Sequence, residues 1–198
     1  MAAQSEHESA LLERELEKQR LGSYARLKGG FPVLLAGASY WLVLGLLGWK
    51  ESGPLWYWVA LFGSGAIFPL ALLYAALFKN NFLKDRTAVS SVLLPTFISM
   101  LLFWPMAIAA LWEGLTIFPL ILAIGLSLHF PVIGWSYGRT VPFSLHAIIR
   151  AVVVFLIWWL LPEFRLNLLP LAVALLYLLM VAFVLFDSAK VQTRLTAS

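Results

Sequence analysis

The sequence predicts an all-α polytopic membrane protein, a six-helix transmembrane bundle preceded by a short N-terminal cytoplasmic helix. Three observations predict it. Of 198 residues, 62% are hydrophobic and only 12% charged, whereas about a quarter of the residues in soluble domains are charged. Several uninterrupted apolar runs reach the ~20 residues that a helix needs to cross a ~30 Å hydrocarbon core. Lysine and arginine are distributed unequally between alternate loops, as in chains sorted by the positive-inside rule. Strand alternation is absent from the sequence, which argues against a closed outer-membrane barrel.

The composition also narrows the function classes. The chain has no cysteine, so disulfides, thiolate catalysis and thiolate metal sites are excluded. The isoelectric point of about 9.5 does not mark a nucleic-acid surface, because the basic residues are scattered through short loops and not gathered on one face. The first thirty residues are polar and unlike a cleavable signal peptide, so the first span is expected to serve as an uncleaved insertion signal.

In chain order, residues 1–30 form the N-terminal segment. Ser5 to Leu21 is rich in strong helix formers, with Ser5 and Glu8 spaced as a capping box. Leu11, Leu12, Leu16 and Leu21 make a narrow apolar stripe, while Glu15 with Lys18 and Glu17 with Arg20 are spaced for i,i+3 ion pairs. The transmembrane domain, residues 31–187, is read as six spans at 31–48, 55–78, 88–112, 115–134, 141–161 and 168–186. A cytoplasmic tail, 188–198, follows.

Of the ten prolines, Pro69, Pro95, Pro105 and Pro131 fall inside spans. Each removes the amide that would bond the carbonyl four residues earlier, at Gly65, Ser91, Leu101 and Ser127. Gly45 and Gly48 in the first span and Gly63-Ser64-Gly65 in the second allow close helix approach. The runs Phe31 to Trp49 and Phe118 to Trp135 echo each other, both opening Phe-Pro and closing Gly-Trp. A true repeat would divide the chain into two inverted halves of three spans.

Eleven of the fourteen lysines and arginines fall in the N-terminal segment, the second and fourth loops and the C-terminal tail; Lys50 and Arg165 lie on the opposite side. This asymmetry puts both termini in the cytoplasm, and the protein is expected to be an integral component of the plasma (inner) membrane. Trp49, Trp56, Tyr57, Trp58, Trp112, Trp158 and Trp159 cluster at the outer ends, as an interfacial belt would.

The remaining cation, Arg150, lies inside a long apolar run with no acidic residue within twelve positions. His146 precedes it by one helical turn. From Val141, Arg150 lies about 13 Å inside the bilayer at ~1.5 Å per residue, and the antiparallel fourth span brings His129 to a depth similar to that of His146. An arginine that deep faces the bundle interior. It requires a bound anion, a wet vestibule or a dense set of acceptors. Ser127, Ser136, Tyr137, Thr140 and Ser144 are candidates for the last, together with the Ser127 carbonyl released by Pro131. Arg139, near the inner surface, is expected to pair with Asp187 or Asp85.

The leading expectation is therefore a protein that binds or translocates a small, anionic solute through a cytoplasm-facing polar site between the fourth and fifth spans. Arg150, His146, His129, Tyr137, Arg139, Ser127 and Ser144 are its candidate ligand or pathway residues. No catalytic residue, cofactor or metal is assigned, since two histidines without a nearby carboxylate fall short of a metal site. The lipid bilayer and a homodimer are the expected partners. A second reading is an accessory or signalling protein acting through its N-terminal helix. An enzyme is third: the stretch FGSGAIF partly resembles the Gly-x-Ser-Gly of rhomboid-type proteases, but Phe62 occupies the first glycine's place and the serine lies on the second span.

Overall fold

Strong helix formers carry the N-terminal helix α1 through Ala2–Arg26. The helix stops where three residues turn left-handed, Lys28, Gly29 and Gly30 with φ of 50°, 65° and 68°. At Gly29 a side chain is excluded twice, by that φ and by Val184, which a Cβ would strike. This computed structural model describes residues 2–51, 53–82, 84–87, 89–114 and 116–197, which contain helices and no strand. The Ser5 side chain of the expected capping box, and Ala88 and Leu115 at the expected span starts, lie outside the described residues.

Six helical segments are long and apolar enough to cross a membrane: Lys28–Leu47, Pro54–Leu77, Ser90–Trp112, Phe118–Ser136, Thr140–Leu160 and Leu168–Ala197. The protein is an integral multi-pass membrane protein with a helical-bundle fold. The sixth helix does not end near Phe186. Nothing in residues 187–197 breaks a helix, and the chain continues as one to Ala197.

The sixth span lies along the first and also packs on the fifth, while the second flanks the first and the third flanks the fourth. The first and fourth spans, whose sequences echo each other, are the most enclosed, and the second and third the least. Close approach of the first and sixth spans depends on small residues. A Cβ on Gly37 would come within 2.8 Å of the Tyr177 ring, and one on Gly48 would fall inside the Leu166 carbonyl. Gly65 differs from the packing expectation: nothing lies within 4 Å of its Cβ position. It belongs to a kink and not to a contact.

All four interior prolines coincide with interruptions of the α-helix. The 3-10 turns Ser64–Ala66 and Ser90–Val92 precede Pro69 and Pro95. Turns at residues 102–103 and 126–129 precede Pro105 and Pro131. The tighter i,i+3 pattern re-pairs groups that proline orphans. The Ser127 carbonyl, expected to be free, accepts from the Phe130 amide at 3.1 Å.

One end of the bundle gathers α1, the 78–89 loop, residues 137–139 and the end of the sixth helix, and is called here the basic end. Arg26 holds Asp85 through Nε at 2.9 Å and Nη2 at 2.8 Å, and the Ser23 hydroxyl donates to the same carboxylate. Asn80 donates to the Leu27 carbonyl at 2.7 Å. At the opposite end, Trp49, Trp58, Trp112 and Trp159 are exposed as a belt requires. Trp56 is instead fully buried, its Nε1 donating to the Leu44 carbonyl at 3.0 Å.

Gly48→Ala should therefore destabilise the bundle by about 1–3 kcal/mol through overpacking, whereas Gly65→Ala should change stability by less than about 0.5 kcal/mol. Denaturation of both variants in detergent micelles, followed by circular dichroism, checks this contrast.

Candidate functional site

The helical periodicity of the fifth span places Phe143, His146, Arg150 and Val154 on its buried face. Arg150 is completely enclosed, at 0% exposure. Its guanidinium lies 5.4 Å from the centre of the Trp41 ring of the first span and 4.9 Å from that of Tyr177 of the sixth. Among the described residues no protein acceptor bonds Nε, Nη1 or Nη2. The charge is therefore offset by two aromatic faces while its in-plane donors remain unpaired.

The histidines flank this centre. His146 lies 4.8 Å from Phe130 and 5.7 Å from Tyr177, ring centre to ring centre. His129 stacks on the same Phe130 ring at 4.8 Å and meets Phe97 of the third span at 5.5 Å. Phe130 thus touches both imidazoles. Buried atoms His146 Nε2, His129 Nδ1 and Trp41 Nε1 have no hydrogen-bond partner among the described residues. Arg150 and Trp41 thus present unpaired donors, and each imidazole presents a nitrogen whose role as donor or acceptor its tautomer sets.

The other sequence candidates lie elsewhere. Ser127 and Ser136 return their hydroxyls to their own helix, bonding the carbonyls of Ile124 at 2.6 Å and Ile133 at 2.8 Å. Ser144 is half-buried on the fifth span, and no hydrogen bond connects it to Arg150. Arg139 binds Asp187 through Nε at 2.6 Å and lies 5.2 Å from the Tyr24 ring. Asp85 does not share that pair, being taken by Ser23 and Arg26. Tyr137 packs between Tyr24 at 5.7 Å and Phe143 at 6.1 Å. Burial, followed by the nearby Asp187 carboxylate, pushes the Tyr24 hydroxyl well above the usual tyrosine range; burial and Asp85 do the same to Tyr137.

Two expectations about the site change as a result. Arg150 points into the junction of the first, fifth and sixth spans, not into a space between the fourth and fifth. The route from it to the basic end is filled by rings, Tyr177 and His146, then Phe130, Phe143, Tyr137 and Tyr24, so the site is closed and not open on that side. Sequence reasoning missed Trp41 and Tyr177. Both sit in mid-span, away from the interfacial belt where such residues concentrate, and that displacement was the available signal.

A family model matches residues 16–187, nearly the whole bundle. The chain belongs to DUF7010, a family of unknown function. The region shared with DUF7010 begins at Leu16, about where α1 first becomes covered, and ends at Asp187, the partner of Arg139. No curated protein and no solved structure matches the chain.

Cation–π attraction at a desolvated site is worth about 2 kcal/mol or more, so the Trp41 face and Arg150 should be energetically coupled. A double-mutant cycle of Trp41→Leu and Arg150→Met, read by unfolding in micelles, should give a coupling of about 1–2 kcal/mol. Strict additivity would show that the ring does not hold the charge.

Proposed function

We propose that this DUF7010 protein binds a small anionic solute at Arg150, within the plasma membrane and with both termini in the cytoplasm. The observation that carries this reading is a fully enclosed guanidinium with no hydrogen-bonded acceptor among the described residues, beside a further unpaired donor on Trp41. Desolvating a charge costs several kcal/mol even after relaxation, at least about 3. Two aromatic faces return about 2 kcal/mol or more each, but accept nothing from the in-plane N–H groups. What the rings leave unmet is the in-plane hydrogen bonding, which an anion accepting from Nε, Nη1 and Nη2 supplies.

Orientation is supported by the gathering of α1, the 78–89 loop, residues 137–139 and the last helical turns at one end, the end richest in lysine and arginine. Solute exchange with that side requires the ring column above Arg150 to part. His129 and His146 are then titratable lining along the way. The Arg139–Asp187 pair, at about one-quarter exposure on each side, is the outermost tie to be released.

The accessory reading retains one supporting observation. Leu11 and Leu12 remain exposed on α1, ahead of the DUF7010 region. Deleting residues 1–15 separates the two readings, since solute binding at Arg150 should survive it and partner docking should not.

The principal test uses full-length protein in nanodiscs, titrated with chloride, nitrate, acetate and phosphate while unfolding is monitored. At least one anion should raise the melting temperature saturably in the wild type and leave Arg150→Met unshifted. Without ligand, Arg150→Met should be no less stable than the wild type, because an apolar replacement removes a desolvated charge. A variant that unfolds without any anion effect in the wild type would instead make Arg150 a structural pin.

A further inference from the structure

Beyond the anion site, and independently of it, a second site lies at the basic end. A cleft of about 510 Å³ separates α1 from the start of the fifth span. One wall, α1, carries Glu13, Glu17 and Arg20, each about one helical turn from the next, and the other carries Arg139 with Thr140 and Val141. The ion pair expected between Glu17 and Arg20 is not formed. Arg20 turns away to donate Nε to the Trp135 carbonyl at 2.5 Å, with its guanidinium 4.6 Å from the centre of the Trp135 ring. Glu13 and Glu17 consequently have no cationic partner among the described residues, and neither Nη of Arg20 has a protein acceptor among them. The cleft thus holds two carboxylates and the free end of Arg20 side by side on α1 without an ion pair between them, with Arg139, tied to Asp187 through Nε, on the far wall.

The cleft continues into an apolar track. Its floor includes Val141 at 76% exposure, the first of a row of exposed residues on the fifth span, Leu145, Ile148 and Val152. These recur at helical spacing and form the lipid-facing stripe directly below the cleft. A ligand here has a charged head at the membrane surface and a hydrocarbon portion in the bilayer.

We infer that the cleft between α1 and the fifth span binds the headgroup of a zwitterionic aminophospholipid. The phosphate meets the arginines, which suit its oxygens. The primary ammonium donates to Glu13 and Glu17, and the acyl chains lie along the Val141 stripe. A choline headgroup has no N–H to donate to the carboxylates. A glycerol headgroup leaves the lipid net negative beside two acids.

Full-length protein is equilibrated with equal amounts of phosphatidylethanolamine, phosphatidylcholine and phosphatidylglycerol of matched chains, and retained lipid is counted by native mass spectrometry. Wild-type protein should retain phosphatidylethanolamine about fivefold over either competitor, as expected for two exposed charge pairs. Glu13→Gln with Glu17→Gln should bring that ratio to about one at unchanged melting temperature, since both side chains are exposed. Equal retention by the wild type, or preference persisting in the double variant, would overturn the inference. Complete displacement by soluble glycerophosphoethanolamine at equal concentration would also overturn it, by making the ligand a free headgroup.

Discussion

A positive charge that cannot be neutralised, enclosed where neither water nor lipid headgroups reach, is the constraint on which the arrangement of this bundle depends. Arginine keeps its proton at any physiological pH, so the fold must answer the charge with geometry. It does so with polarizable ring faces, Trp41 from the first span and Tyr177 from the sixth. Those rings bring three helices to one point. Gly37 is small because the Tyr177 ring needs the space, and the close packing of the first and sixth spans follows from it.

The basic end answers a different problem, that of holding helices whose apolar faces gain little from one another in lipid. Polar contacts provide the tie. Asp85 fastens the 78–89 loop to α1, Asp187 fastens the sixth helix to Arg139, and Arg20 fastens α1 to the end of the fourth span. The last turns of α1 thereby form a strap over the column of rings above Arg150. The pairs Arg26–Asp85 and Arg139–Asp187 tie helices together at this end, whereas Arg150 is unpaired in the interior, and that difference separates these structural ion pairs from the candidate site.

The prolines and glycines show how far a linear reading reaches. Proline acts on its own helix, so Pro69, Pro95, Pro105 and Pro131 mark interruptions that are legible in the sequence. What becomes of the freed carbonyl depends on whether the preceding turn tightens, which is why the Ser127 carbonyl pairs with Phe130 and does not serve Arg150. Gly48 and Gly65 look alike in sequence, yet one touches the Leu166 backbone and the other touches nothing. The difference lies in the neighbouring helix, not in the residue.

The sequence by itself determined the helical class, the six crossings and the existence of an isolated intramembrane arginine, because hydropathy, helix length and charge are properties of a single segment and its solvent. Only the tertiary structure decided what that arginine faces. Helix rotation and neighbour choice are set by side-chain packing between segments remote in the chain, so the partners turned out to be Trp41 and Tyr177 and not the serines nearby in sequence. The same reason assigned Asp85 to Arg26 and buried Trp56, which a linear count had put in the interfacial belt.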